Sequence, residues 1–148
     1  MNAAPEIADA LDTPVMRQYL EIKRAYPDCI LFFRMGDFYE MFLDDAVRAA
    51  PVLDVALTRR QNAIPMAGVP YHSVDTYLAR AIAAGIRVAI AEQTQDPENP
   101  KLMKRVVARV VSSGTVIEEA LLPDSSHSWI AACVRGQDLW GVALADVA

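Results

Sequence analysis

The tightest constraint on the fold is a change of apolar period between residues 29 and 42. Cys29-Ile30-Leu31-Phe32-Phe33 is a continuous apolar run of strand length and reads as a buried strand. Gly36 breaks it, where the chain can take backbone angles that other residues avoid. The pattern then alternates. In an extended segment Phe38, Glu40 and Phe42 point one way, Tyr39 and Met41 the other. If Tyr39 and Met41 enter the core, an aromatic ring and a carboxylate share the open face, about 7 Å apart at two strand rises. Periodicity alone leaves this open, because a strand aromatic is usually packed and Glu40 could be a solvated edge.

The flanking segments imply layers. Thr13-Pro14 is a helix start, with a capping hydroxyl and a proline suited to the first turn. Val15, Tyr19, Ile22 and Tyr26 follow at helical spacing, widened by Met16 and Leu20, until Pro27-Asp28. Asp44 is placed to cap a second helix that Pro51 should stop or kink. Val55-Ala56-Leu57 reads as a short strand. Pro65 to Pro70, with two prolines and Gly68, reads as irregular. Ser73 should cap a helix carrying Val74, Tyr77, Leu78, Ala81 and Ile82, closed by Gly85. Ile86 to Ala91 and Arg105 to Val111 read as strands around a loop at 96–100. Strands alternating with helices indicate an α/β fold with a mixed sheet flanked by helices. Two further runs, 128–134 and 139–147, make a hairpin, marginal by itself.

The chain has 148 residues, 53% of them apolar, enough for one core and the beginning of another. No apolar run reaches membrane-spanning length. The first twelve residues carry acids instead of a basic region and read as a frayed leader. Cys29 and Cys133 each lie in an apolar run, which suggests buried free thiols and a reducing cytoplasm. The net charge of −5 opposes nucleic-acid binding, but its distribution does not. Residues 58–117 hold eight Lys or Arg against four Asp or Glu, notably Arg59, Arg60, Lys101, Lys104, Arg105 and Arg109. Phosphate binding needs a local basic face and not a basic total.

Gly36-Asp37-Phe38-Tyr39-Glu40 resembles the Phe-x-Glu signature of the MutS family of DNA mismatch repair proteins. The resemblance covers nearly the whole chain. Thr13 to Leu20 is similar to the family's opening helix, and Ile64 to His72 to its second word. Val88 to Gln93 and Gly114-Thr115 follow in the family's order. It implies a leader over 1–12, a mismatch-recognition domain over 13–115 and a linker over 116–126. Residues 127–148 would begin a ribonuclease-H-like connector domain, and the chain would be the N-terminal piece of a longer protein. The resemblance assigns Phe38 to stacking on a mispaired base from the minor groove and Glu40 to hydrogen-bonding it. Arg59, Arg60, Met66 and Arg109 are second-tier DNA contacts, with Met66 and Tyr71 open to a bracing role instead. The implied partners are double-stranded DNA with mispaired or unpaired bases, a second copy and a MutL-type protein. ATP and Mg²⁺ would act elsewhere in the longer protein, because no Gly-x-x-x-x-Gly-Lys-Ser/Thr word occurs here. No nucleophile elbow or zinc spacing occurs either, so no catalysis is expected of these residues.

Two other classes compete. Asp37, Glu40, Asp44 and Asp45 would form the carboxylate cluster of a metal-dependent nuclease, although Asp37 and Glu40 should face apart on a strand. An α/β protein-interaction module would be favoured by a buried Phe38, with the basic residues on opposite faces.

Overall fold

A helix start, a hairpin and a glycine stop order the first half of the chain. The structure is a computed structural model that describes residues 9–61, 63–95, 103–113 and 129–146. The expected loop at 96–100 and the linker at 116–126 lie outside the described residues. Thr13 caps helix α1 (Pro14–Ala25), its hydroxyl accepting from the Met16 amide at 3.3 Å, with Pro14 in the first turn. Strand β1 (Ile30–Met35) turns into β2 (Phe38–Phe42) through Gly36-Asp37. Met35 pairs with Phe38 there, and Gly36 has φ +59°. A side chain at that angle would be strained, which is why the glycine stands at the break. Helix α2 (Leu43–Leu53) follows, then β3 (Thr58–Arg60), β4 (Ile64–Pro70) and a 3₁₀ turn (Tyr71–Ser73). Helix α3 (Val74–Ala83), β5 (Val88–Gln95) and β6 (Met103–Val111) complete the layer.

The six strands form one mixed sheet in the order β3-β4-β2-β1-β5-β6, with β1 and β5 parallel and the other pairs antiparallel. Period-two alternation gives the sheet two apolar faces. Ile30, Phe32, Tyr39, Met41, Ala67, Val69, Val88 and Ile90 pack with Ala46, Ala49 and Leu53 of α2 and Leu78 and Ala81 of α3. On the reverse face Leu31, Phe33, Phe42, Ile64, Ala89 and Ala91 pack with Met16 and Tyr19 of α1. Each fully buried large side chain contributes about 1.5–3 kcal/mol. One polar group bolts the layers together. Asp45, 2% exposed, accepts from the Tyr19 hydroxyl at 2.9 Å and the Leu31 amide at 3.0 Å, and pairs with Lys23 at 2.8 Å. Burial and the neighbouring Asp45 carboxylate both push the Tyr19 phenol far up, so it remains a donor.

Several expectations need correction. Residues 65–70 are not irregular but form most of an interior strand. Pro70 closes that strand opposite Phe38 in a non-hydrogen-bonded pair, where the ladder bond comes from the next amide, Tyr71, to the Asp37 carbonyl at 2.8 Å, so the N–H that Pro70 lacks is not needed by β2. The short strand is Thr58–Arg60, not 55–57. Helix α2 starts at Leu43 with no side-chain cap, so Asp44 and Asp45 occupy its first turn. It also runs past Pro51 and ends at Asp54, φ +57°. Ser73 ends a 3₁₀ turn, its hydroxyl directed to the Pro70 carbonyl at 3.4 Å, and does not cap α3 by its side chain. Of the supposed leader, residues 9–11 are helical and Ala10 is buried. The hairpin forms as β7 (Trp129–Arg135) and β8 (Trp140–Asp146), with every residue of both strands exposed. Cys133 is therefore exposed and not buried, whereas Cys29 is buried. Among the described residues no helix is long and apolar enough to cross a membrane.

Candidate nucleic-acid interface

The α1 side of the sheet is covered at one end only. Along β2, Phe42 is fully buried, its ring edge-on to Tyr19 at 5.0 Å. Four residues earlier on the same face, Phe38 is 47% exposed. Glu40 lies between them, half-buried. The alternation thus holds as expected, with Tyr39 and Met41 in the core. Helix α1 decides which of the three outward residues is covered. The next strand leaves the space open: Gly68 pairs with Glu40, and Pro70 with Phe38.

Glu40 is electrostatically unusual. Its Oε2 is buried with no hydrogen-bond donor, and the nearest cation is Arg60 at 3.8 Å, a loose pair. Burial raises the Glu40 carboxyl above its ordinary range, and Arg60 pulls it partly back. An unsatisfied acceptor of this kind gains from any donor brought against it.

Two arginines flank the patch from the two edge strands. Arg60 of β3 pairs with Ile64, which puts it on the Phe38 face with its guanidinium 5.8 Å over the Phe42 ring. Arg105 of β6 lies 5.2 Å over the Phe33 ring and donates to the carbonyls of Arg34 at 3.2 Å and Met103 at 3.0 Å. Burial lowers its pKa, and an arginine so held stays charged. Arg59 pairs with Pro65 and so points to the other face, donating to the Ala63 carbonyl at 3.4 Å. Arg109 pairs with Ile90 and lies on the α2–α3 face, at the opposite edge from Arg60. That edge is five strand spacings away, about 24 Å. The reason is local. A bulge between Ile90 and Ala91 inserts one residue into β6, so Arg105 and Arg109, which a regular strand would align, diverge. Met66 pairs with Phe42 and packs half-buried against the α1 core, a brace beneath the patch.

Sequence reasoning therefore reached Phe38, Glu40 and Arg60 together, and passed over Arg105 as a named contact although its charge had been noted. Gly68 was passed over too. Its pairing with Glu40 becomes visible only once β4 is known to be a strand.

The competing clusters do not assemble. Among the described residues no group of three His, Cys, Asp or Glu side chains is placed to hold a metal ion. Asp45 is sequestered by Tyr19, Lys23 and the Leu31 amide. The exposed Phe38 also removes the first condition set for an interaction module, and the second is not met, since each face carries a basic residue from both segments: Arg60 and Arg105 on the Phe38 face, Arg59 and Arg109 on the other.

Comparison with known proteins agrees with this geometry. The family model for MutS domain I matches residues 13–120. The DNA mismatch repair protein MutS of Leptospira interrogans (serogroup Icterohaemorrhagiae serovar copenhageni) is 53% identical over 142 residues, covering 95% of this chain and 17% of that protein. Its namesake in Desulforapulum autotrophicum is 49% identical over 141 residues, 92% of this chain and 16% of that protein. The one in Halalkalibacterium halodurans is 48% identical over 143 residues, 93% and 16% respectively. The chain spans only 16–17% of the length of these relatives. On the extent of both matches, the chain belongs to the MutS family and carries its domain I.

Proposed function

We propose that this domain tests double-stranded DNA for mispaired or unpaired bases through the minor groove, as part of DNA mismatch repair. The observation that carries the reading is Phe38, a large apolar ring held outside the core with the carboxylate of Glu40 beside it on one face. A wedge driven into a base step kinks the duplex toward the major groove and must offset an unstacking cost of a few kcal/mol. Stacking of a ring on a base returns about 1–3 kcal/mol. That does not clearly cover the cost at a sound step. At a mismatch, stacking and pairing are already weakened, and the same ring wins. What is read is deformability more than base identity.

Glu40 sharpens the contrast. A carboxylate near phosphates is repelled, and at a paired base it meets no free donor. A displaced base offers an N–H, or the carboxyl takes a proton and donates it. The burial that already raises its pKa favours the second course. Discrimination then comes from penalising intact duplex as well as rewarding the mismatch. Arg60 and Arg105, on opposite sides of the patch, supply positive charge for the two phosphate backbones and make binding salt-dependent.

No phosphate-binding glycine loop with Lys-Ser/Thr occurs in the sequence. On this reading ATP and Mg²⁺, pairing with a second copy and contact with a MutL-type partner belong to other parts of a MutS chain. The setting is cytoplasmic, and the domain is a recognition module with no catalysis of its own.

The test uses a full-length MutS carrying this domain and duplexes with and without a G·T pair. Phe38→Ala should abolish the preference for G·T. Glu40→Ala should raise affinity for the matched duplex and so narrow selectivity. A Phe38→Ala protein that still prefers G·T as wild type does would end the wedge reading. Unchanged matched-duplex affinity in Glu40→Ala would end the penalty argument alone.

A further inference from the structure

A ring that pries bases apart is only as effective as the backbone behind it is stiff. Phe38 is the first residue of β2, directly after a two-residue turn, the kind of site where local opening is easiest. Its partner on β4 is Pro70 in a non-hydrogen-bonded pair, so the bonds from β4 go to its neighbours and not to Phe38 itself. Three carbonyls around the turn are nonetheless held by donors from outside the hairpin ladder. The Tyr71 amide bonds the Asp37 carbonyl at 2.8 Å. Arg34 Nε bonds the Gly36 carbonyl at 2.5 Å. Arg105 Nε bonds the Arg34 carbonyl at 3.2 Å.

Arg34 is the centre of this arrangement. It pairs with Tyr39 and so faces away from Phe38, on the α2–α3 side. Its guanidinium lies 3.6 Å from the centroid of the Tyr71 ring and 5.3 Å from that of Tyr39. Tyr39 is anchored in turn by its hydroxyl on Glu92. Tyr71 is 48% exposed and belongs to neither core cluster, so the cation–π stack has no core packing to compete with. The position of Arg34 behind the sheet face that carries Phe38 argues against a direct groove contact and for a brace.

We propose that Arg34 and Tyr71 are positioning residues for Phe38: their stack, with the Arg34 bond to Gly36 and the Tyr71 amide bond to Asp37, locks the turn so that the ring cannot retreat when pressed into a base step. This rests on the wedge reading above. A stiff wedge transmits its stacking energy into bending of the duplex, while a loosened one rides up and leaves the step stacked.

The experiment uses a full-length MutS carrying this domain, with Arg34→Ala, Arg34→Lys, Tyr71→Ala and Tyr71→Phe, and with Arg34→Ala added to Phe38→Ala. Affinities for G·T and matched duplexes are measured over a salt series. Bending is followed by energy transfer between end-labelled duplex arms, and folding by thermal melting. Arg34→Ala and Tyr71→Ala should each weaken G·T binding at least about two- to fivefold, the fold-change that corresponds to losing one exposed cation–π contact. Matched-duplex affinity and salt slope should hold, and the bend should shrink. Tyr71→Phe should rescue both readouts because it keeps the ring. Arg34→Lys should not, because a point charge neither stacks nor aims as a guanidinium does. Arg34→Ala should add nothing to Phe38→Ala. An additive loss there, with both duplexes weakened and a shallower salt slope, would make Arg34 a phosphate contact and overturn the proposal. So would Ala variants that melt normally and keep full selectivity and bend. If Phe38→Ala itself keeps selectivity, the wedge reading fails first, and the two failures are told apart by that arm.

Discussion

Gly68 offers a sharp test because it separates stability from recognition. It stands on β4 opposite Glu40, two pairs along the ladder from Pro70 and Phe38 and on the same face. A Cβ built there would lie 3.7 Å from the Tyr39 carbonyl oxygen, 3.8 Å from Phe38 Cδ1 and 3.9 Å from Glu40 Cγ. All three are ordinary contact distances, so Gly68→Ala fits the folded strand. By removing a glycine from a strand interior it should hold stability or raise it by up to about 1 kcal/mol. Gly68→Val adds two methyl groups beyond that Cβ, in the trough between ring and carboxylate. A base stacked on Phe38 with its edge toward Glu40 would have to occupy the same trough. The valine variant should therefore fold with an unchanged or higher melting midpoint and yet lose recognition. If the stacking term of about 1–3 kcal/mol is forfeited, G·T affinity falls about 5- to 150-fold while matched-duplex affinity barely moves. Fluorescence anisotropy titrations of both duplexes with a full-length MutS carrying the change, beside thermal melts, give both quantities. A valine variant that melts normally and binds G·T within about twofold of wild type, well inside the effect of a lost stack, would show that the base does not enter between Phe38 and Glu40.

Other perturbations follow from the same geometry. Asp45→Ala leaves Tyr19 the Phe42 carbonyl at 3.1 Å and Lys23 the Pro27 carbonyl at 3.1 Å but orphans the buried Leu31 amide, and should cost about 1–3 kcal/mol in chemical denaturation; a loss well below about 1 kcal/mol would mean that the amide finds water. Burial raises the Glu40 carboxyl in the folded protein, so its contribution to stability is fully present below the ordinary carboxylate value of about 4.3 and is lost as pH climbs through the folded value. Glu40→Gln should accordingly melt above wild type at neutral pH, by a margin that closes on acidification, and a pH-independent margin would rule out ionisation as its source. Arg105→Ala should weaken matched and mismatched duplexes alike and flatten the log–log salt slope by about one unit. Arg109→Ala, on the opposite sheet face, should do less; the reverse ranking would mean that DNA approaches the α2–α3 side.

What the sequence by itself determined is what neighbours along the chain decide. The helix start at Thr13-Pro14, the break at Gly36, the alternation from Phe38 to Phe42 and the stop at Gly85 follow from caps, backbone freedom and apolar period. These acts of local physics already placed a ring and a carboxylate on one face. Tertiary structure decided everything that depends on a distant partner. Residues 65–70 look like a loop by composition, but β3 pairs with 64–66 and β2 with 66–70, which holds them extended, and Pro70 falls at a position where the β2 ladder needs no N–H. Phe42 is covered and Phe38 open because α1 reaches only part of the face, which no period of β2 can encode. A single bulge in β6 sent Arg105 to the Phe38 face and Arg109 behind it, since an inserted residue reverses the two-residue alternation beyond it. Sheet pairing joins residues far apart in sequence, and it is there that the choice of which charges surround the ring was made.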